Sequence, residues 1–178
     1  KSPDISTFME NQLSKAEFSK LLSKIKKRTK FRRCIHSQNE NCSKGIINAH
    51  SIQNNRILNK LSKEGFVMQI DMFNYIYEQD LSKIGKKIAT TFEGFCNKHD
   101  NEVFLPIESK DYEVGNPEQD FLFAYRAFSR EYIVKNQSFE LNKKLIEEFG
   151  EVEFLPDMQI GYKKSLTDLE YYKSVFDK

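Results

Sequence analysis

At 178 residues and 21.0 kDa, with 39% apolar side chains and a formal net charge of +2, the chain can fill the core of one domain and is no disordered tail. No apolar run approaches the ~20 residues of a membrane span and no charged-then-apolar leader is visible, so a cytoplasmic protein with no membrane partner is expected. Three cysteines exclude a completely paired disulfide scaffold and suit a reducing compartment.

Residues 1–33 carry ten basic and three acidic side chains, and residues 101–178 carry ten and sixteen, so the front is basic and the back acidic. After a loose arm, Phe18, Leu21, Leu22 and Ile25 recur at helical spacing between lysines, which predicts an amphipathic helix over 15–27. Lys24, Lys26, Lys27, Arg28, Lys30, Arg32 and Arg33 follow on its polar side and just beyond. A cation cluster of this kind is the electrostatic footprint of phosphate contact, and equally a solvated helix end stabilised by the helix dipole.

Residues 34–45 read as a polar loop able to turn both Cys34 and Cys42 onto one ion. Gly45 then opens the β-branched run 46–52, a strand with His50 near its end. A helix is expected over 53–63, with Ile57, Leu58 and Leu61 on one side and Gly65 as its stop, and alternation from Phe66 to Met72 predicts a strand. Gly94 is expected to permit a tight entry into Cys96, with a helix beginning near Phe95. Asn116-Pro117-Glu118-Gln119 is a helix start, for a helix to about residue 135 whose aromatic positions, Phe121 to Tyr132, read as core. Leu141, Leu145, Ile146 and Phe149 before Gly150 predict another helix, and Ser165-x-x-Asp168 predicts the cap of a last one.

All thiol and imidazole donors fall between Cys34 and His99, in the order Cys34, His36, Cys42, His50, Cys96 and His99. Thiolates and imidazoles confined in this way point to tetrahedral zinc, with Cys34, Cys42, Cys96 and His99 as a structural Cys3His set. His50 could take the fourth place instead and free His99, but two donors three apart on a helix turn form the better clamp. Asp100 would then point about 100° further round that helix, away from the zinc, or simply complement the helix N-terminus. His36 reads as a loop residue or a partner of the ligands.

The knuckle cysteines, the strand ending Ala49-His50, and the late Cys96-x-x-His99 followed by Asp100 together resemble the HNH endonucleases of the His-Me finger group. The resemblance covers residues 34–108 and implies a zinc-bearing treble-clef-like ββα unit, with His50 as general base and Asp100 as a ligand of catalytic Mg2+ or Mn2+. Two positions differ from the family pattern, Ala49 where many relatives have a metal-binding Asp or His and Thr91 where an asparagine stands before the first helix cysteine. What is expected is an α+β, mainly helical chain in three parts. Residues 1–33 form a basic arm and helix, residues 34–108 a zinc-centred core with an insertion at 53–90, and residues 109–178 a helical support. The function implied is phosphodiester hydrolysis of DNA in preference to RNA. The alternative is a catalytically silent zinc module that binds nucleic acid or a protein partner, for instance in a bacterial defence complex.

Overall fold

The computed structural model describes residues 15–70, 81–149 and 155–176. In chain order these form α1 (Lys15–Arg28), β1 (Ala49–His50), α2 (Asn59–Leu61), β2 (Phe66–Gln69), β3 (Ser82–Gly85), β4 (Thr91–Phe92), α3 (Asn97–Glu108), α4 (Pro117–Phe149) and α5 (Leu155–Phe176). The architecture is mixed and mainly helical, with two antiparallel two-stranded sheets, β1 with β4 and β2 with β3. No helix among the described residues is long and apolar enough to cross a membrane. The chain divides into two compact units, Arg32–Arg130 and the described parts of Lys1–Phe31 with Glu131–Lys178, and α4 contributes residues to both.

In the unit Arg32–Arg130 the core is aromatic. Phe95 and Phe104 are wholly buried and meet edge to face at 5.2 Å, with Tyr125 at 6.1 and 5.9 Å from them. Such offset and T-shaped pairs add to the stabilisation from buried area. The predicted start of α4 is present: Asn116 Oδ1 accepts the backbone N–H groups of Glu118 and Gln119, and Gln119 Oε1 accepts the N–H of Glu113. The strand expected from Phe66 to Met72 is present as β2 over Phe66–Gln69, and residues 71 and 72 lie outside the described residues. Between Lys63 and Phe66, Glu64 and Gly65 both have positive φ, 54° and 81°, the conformation of a two-residue hairpin turn. Gly65 therefore serves this turn rather than stopping a helix.

Residues 53–63 depart from the expected amphipathic helix. A π-helical turn, Asn54–Leu58, leads into the short α2, and only Leu58 of the three apolar residues is buried, with Ile57 40% and Leu61 67% exposed. The buried Gln53 donates its amide to the Ile107 carbonyl, an anchor that periodicity alone does not reveal. Gly94 is buried without positive φ, and its carbonyl accepts the N–H of Ile35 instead of relieving a turn.

In the other unit, Ile25 of α1 is buried, Leu21 and Leu22 are half-buried, and all five cations from Lys24 to Lys30 are exposed, which is the predicted division of faces. Phe31 packs edge-on against Tyr132 at 6.3 Å, and Lys135 pairs with Asp168 at 2.9 Å. The two helices expected over 116–135 and 141–149 are one, because no Gly or Pro lies between them to stop propagation. The last helix also begins earlier than its supposed cap. Ser165 is buried inside α5 and Asp168 serves Lys135, so neither caps the helix.

Arg126 is the most consequential polar residue of the Arg32–Arg130 core. Its side chain is 4% exposed, lies 4.5 Å over the Phe104 ring, and pairs with Glu108 and, at 3.5 Å, with both oxygens of Asp100. Breaking a buried ion pair from one side leaves an uncompensated charge, at a cost of about 3–5 kcal/mol. Arg126→Met, which keeps apolar volume over Phe104, should lower the melting temperature clearly in thermal denaturation, and an unchanged melt would show the pair to be dispensable.

Candidate metal centre

Three chain segments bring four donor atoms together. Cys34 and Cys42 lie at the two ends of the polar loop, which contains one 3-10 turn, Asn39–Asn41. Cys96 is the N-cap of α3, with its Sγ accepting the backbone N–H of His99 at 3.5 Å, and His99 lies in the first turn. The loop is tied to this turn by N–H bonds from Ile35 to Gly94 and from Ile47 to Phe95, by the bridge between Ile46 and Cys96, and by Lys98 N–H on Ser43 Oγ. The expected spacing clamp is thus formed, on a helix that begins at Asn97, two residues later than the expected start near Phe95.

The donor atoms of Cys34, Cys42, Cys96 and His99 all lie within 4.8 Å of one another, the only such cluster of three or more metal-binding side chains among the described residues. His99 Nδ1 is 3.4 Å from Cys34 Sγ, 3.6 Å from Cys42 Sγ and 3.4 Å from Cys96 Sγ. Zinc bonded at about 2.3 Å to sulfur and 2.0–2.1 Å to nitrogen separates those atoms by roughly 3.5 Å across a tetrahedral angle. The residues present fit zinc in donor type, number and spacing. Cys96 and His99 are buried and Cys42 is exposed at the rim.

The thiols themselves call for a cation. Burial pushes the Cys96 thiol up, but hydrogen bonds from His99, Ser43 and Cys42 outweigh it and hold the group at about 6. Cys42 is pushed up to about 11 by desolvation and by its two cysteine neighbours. Like charges this close resist joint ionisation until a positive centre neutralises them. His36, expected only as a loop residue or partner, stacks on His99 with ring centroids 4.0 Å apart, and its Nδ1 accepts the N–H of Gln38. Burial and then the neighbouring His99 lower its pKa.

His50 is not among the four donors. It ends β1 in register with Thr91 of β4, four residues beyond the Ile46 that bridges to Cys96, a span of at most about 14 Å. Its Nδ1 lies 3.0 Å from the Ala89 carbonyl, which can only accept, so Nδ1 is the donor of this bond and in the neutral ring the lone pair is on Nε2. The next carbonyl, of Thr90, accepts both the N–H and the hydroxyl of Ser51. Thr90 has φ of 62°, costly for a β-branched residue, in the turn whose successive carbonyls meet His50 and Ser51. No sequence pattern marks Ala89 or Thr90 for this task.

Asp100 has a different place from the one expected. It follows His99 on α3 and leaves the sulfur cluster, as the helix spacing requires, but it is 8% exposed and its carboxylate faces Arg126. Burial raises its pKa, Arg126 opposes that, and Glu108 adds to it. The carboxylate expected to bind a catalytic Mg2+ or Mn2+ faces a guanidinium, and no further His, Cys, Asp or Glu donors gather round it among the described residues. In the basic run, Lys24, Lys26, Lys27, Arg28, Lys30, Arg32 and Arg33 are all exposed; the first five belong to one unit and Arg32 and Arg33 to the other.

Compared with known proteins, the chain matches no family model, no curated protein and no solved structure.

Because its donors come from segments more than fifty residues apart, zinc should contribute folding free energy to the unit Arg32–Arg130. Chelation, or Cys96→Ser, should abolish stoichiometric zinc in elemental analysis and unfold that unit in circular dichroism and proteolysis. A metal-free sample with an unaltered melt would show the cluster to be incidental.

Proposed function

We propose that the chain is a nuclease of the His-Me finger type, in which a zinc-pinned ββα unit of β1, β4 and α3 presents His50 as general base for phosphodiester hydrolysis. The observation that carries this is the state of His50: outside the zinc set, half-exposed, on the strand paired to the strand before α3, with Nδ1–H given to Ala89. A histidine so held offers Nε2 to a water molecule and takes its proton as the water oxygen bonds to phosphorus, while the P–O bond to one sugar oxygen breaks and that oxygen leaves as a hydroxyl with a proton from solvent. The zinc, with four protein ligands, has no open position and serves the fold. The exposed cations from Lys24 to Arg33 would position the polyanion, with DNA the first substrate to test and RNA the second. This activity belongs in the cytoplasm.

A bound magnesium or manganese ion would supply charge neutralisation at the phosphoryl oxygens. The described residues offer no fitting donor set for it, since Asp100 faces Arg126, so the step assigned here runs through His50 alone. That same pairing favours a second reading, a zinc module that binds nucleic acid or a protein partner, as in a defence complex, without cleaving anything.

Plasmid nicking by the purified chain, with magnesium or manganese added, separates the two. His50→Ala should lower cleavage by about 10²–10⁴-fold, the usual contribution of general-base catalysis, while zinc content and melting temperature stay near those of the wild type. An inactive wild type would leave the binding module, and a His50→Ala chain that still cleaves would remove His50 from the reaction.

A further inference from the structure

The three thiols of the metal centre are not equally sheltered. Cys96 is fully buried at the N-terminus of α3 and its Sγ accepts the N–H of His99, whereas Cys34 is half-buried and Cys42 is exposed. The residues around Cys42 are open as well: Glu40, Asn41 and Lys44 are exposed, and Ser43 is half-buried. Cys34 and Cys42 belong to one loop, with seven residues between them and only the 3-10 turn Asn39–Asn41 as regular structure. Their sulfurs, like all four donor atoms, lie within 4.8 Å of each other. We infer that Cys42 is a site of reversible oxidation by peroxide, with Cys34 as its resolving thiol, and that closing the Cys34–Cys42 disulfide dismantles the metal centre.

Access selects Cys42. The thiolate is both the metal ligand and the nucleophile, so each cysteine that serves zinc stands in the reactive form, and exposure decides which of the three an oxidant meets. Redox-sensitive cysteines are accessible thiolates poised beside a second thiol. In the first step the Cys42 sulfur attacks one peroxide oxygen, the O–O bond breaks and hydroxide leaves, so that Cys42 becomes a sulfenic acid. In the second the Cys34 thiolate attacks the Cys42 sulfur, the S–O bond breaks and a second hydroxide leaves. Both hydroxides take protons from solvent, and two electrons have passed from two thiolates to one peroxide. Only Cys96 and His99 of the donor set then remain, too few for a four-coordinate structural site. Cys34 is the partner because both of its sulfur's attachments to this chemistry lie in one loop, whereas Cys96 would have to leave the turn in which it caps α3. A thiol reductant reverses the bond by exchange. Nothing in these steps requires phosphodiester hydrolysis, so they stand or fall apart from the nuclease reading.

The zinc-loaded full chain is treated with hydrogen peroxide in stoichiometric steps, each stopped with catalase. A chromogenic indicator then reads zinc release, and mass spectrometry of alkylated peptides reads the thiols. About one zinc per chain should be released for about one peroxide, together with a Cys34–Cys42 disulfide and a Cys96 that still alkylates. A thiol reductant followed by zinc should restore the original melting temperature. Cys42→His, which keeps a nitrogen donor for the ion, should slow zinc release at least about tenfold. Cys34→His should leave the sulfenic acid standing on Cys42, where dimedone captures it. If neither variant holds zinc, capture of dimedone at Cys42 in the wild type early in the first step carries the same expectation. Peroxide that leaves zinc in place, that releases it with Cys96 in the disulfide, or that drives Cys42 to the sulfinic acid with no disulfide would overturn the assignment. So would a purified chain that binds no zinc.

Discussion

Four donor atoms drawn from two ends of a loop and one turn of a helix must meet within a few ångströms, and the arrangement of the Arg32–Arg130 unit follows from that requirement. Three crowded thiols repel one another as they ionise, and the group at about 6 beside the group at about 11 records that conflict. A central cation would resolve it and would hold the loop of Cys34 and Cys42 against the N-terminus of α3. The bridge between Ile46 and Cys96 then fixes the direction in which β1 leaves the cluster, and so where His50 stands.

Consecutive residues of one helical turn take opposite duties. His99 points into the sulfur cluster and is stacked by His36, while Asp100 turns to the buried guanidinium of Arg126. The turn is therefore held from both sides, by soft donors around a metal site and by a hard ion pair in an aromatic core. The imidazole of His50 stands on the strand instead, with its Nδ1 against a backbone carbonyl.

Much of this was legible in residue types and spacing. Cys96-x-x-His99 declared a helical clamp because a rise of one turn brings positions three apart to one face, and confinement of the donors picked out Cys34 and Cys42 as their companions. The cap at Asn116 and the exposed cations of α1 were readable for equally local reasons. What could not be read was long-range. Arg126 stands 26 residues from Asp100, and its burial over Phe104 is decided by packing rather than by pattern. The π-helical turn at Asn54–Leu58 answers to the anchoring of Gln53 on Ile107, which overrides the apolar periodicity of that stretch. Likewise Ser165 carried a cap-like pattern inside a longer helix, where the pattern has no meaning.

The pairing of β1 with β4 spans some forty residues, and its hydrogen bonds from His50 to Ala89 and from Ser51 to Thr90 each bridge 39 positions. Contacts this far apart close late, after local turns and helices have formed, because the entropy of the intervening loop opposes them until the ends are held. During synthesis from the N-terminus, Cys34, Cys42 and His50 emerge well before Cys96 and His99. The imidazole of a partly made chain therefore lacks both its carbonyl partner and the clamp that orders its strand. The setting of His50 is therefore completed late in the life of the molecule, after the turn that carries Cys96 and His99 has been made.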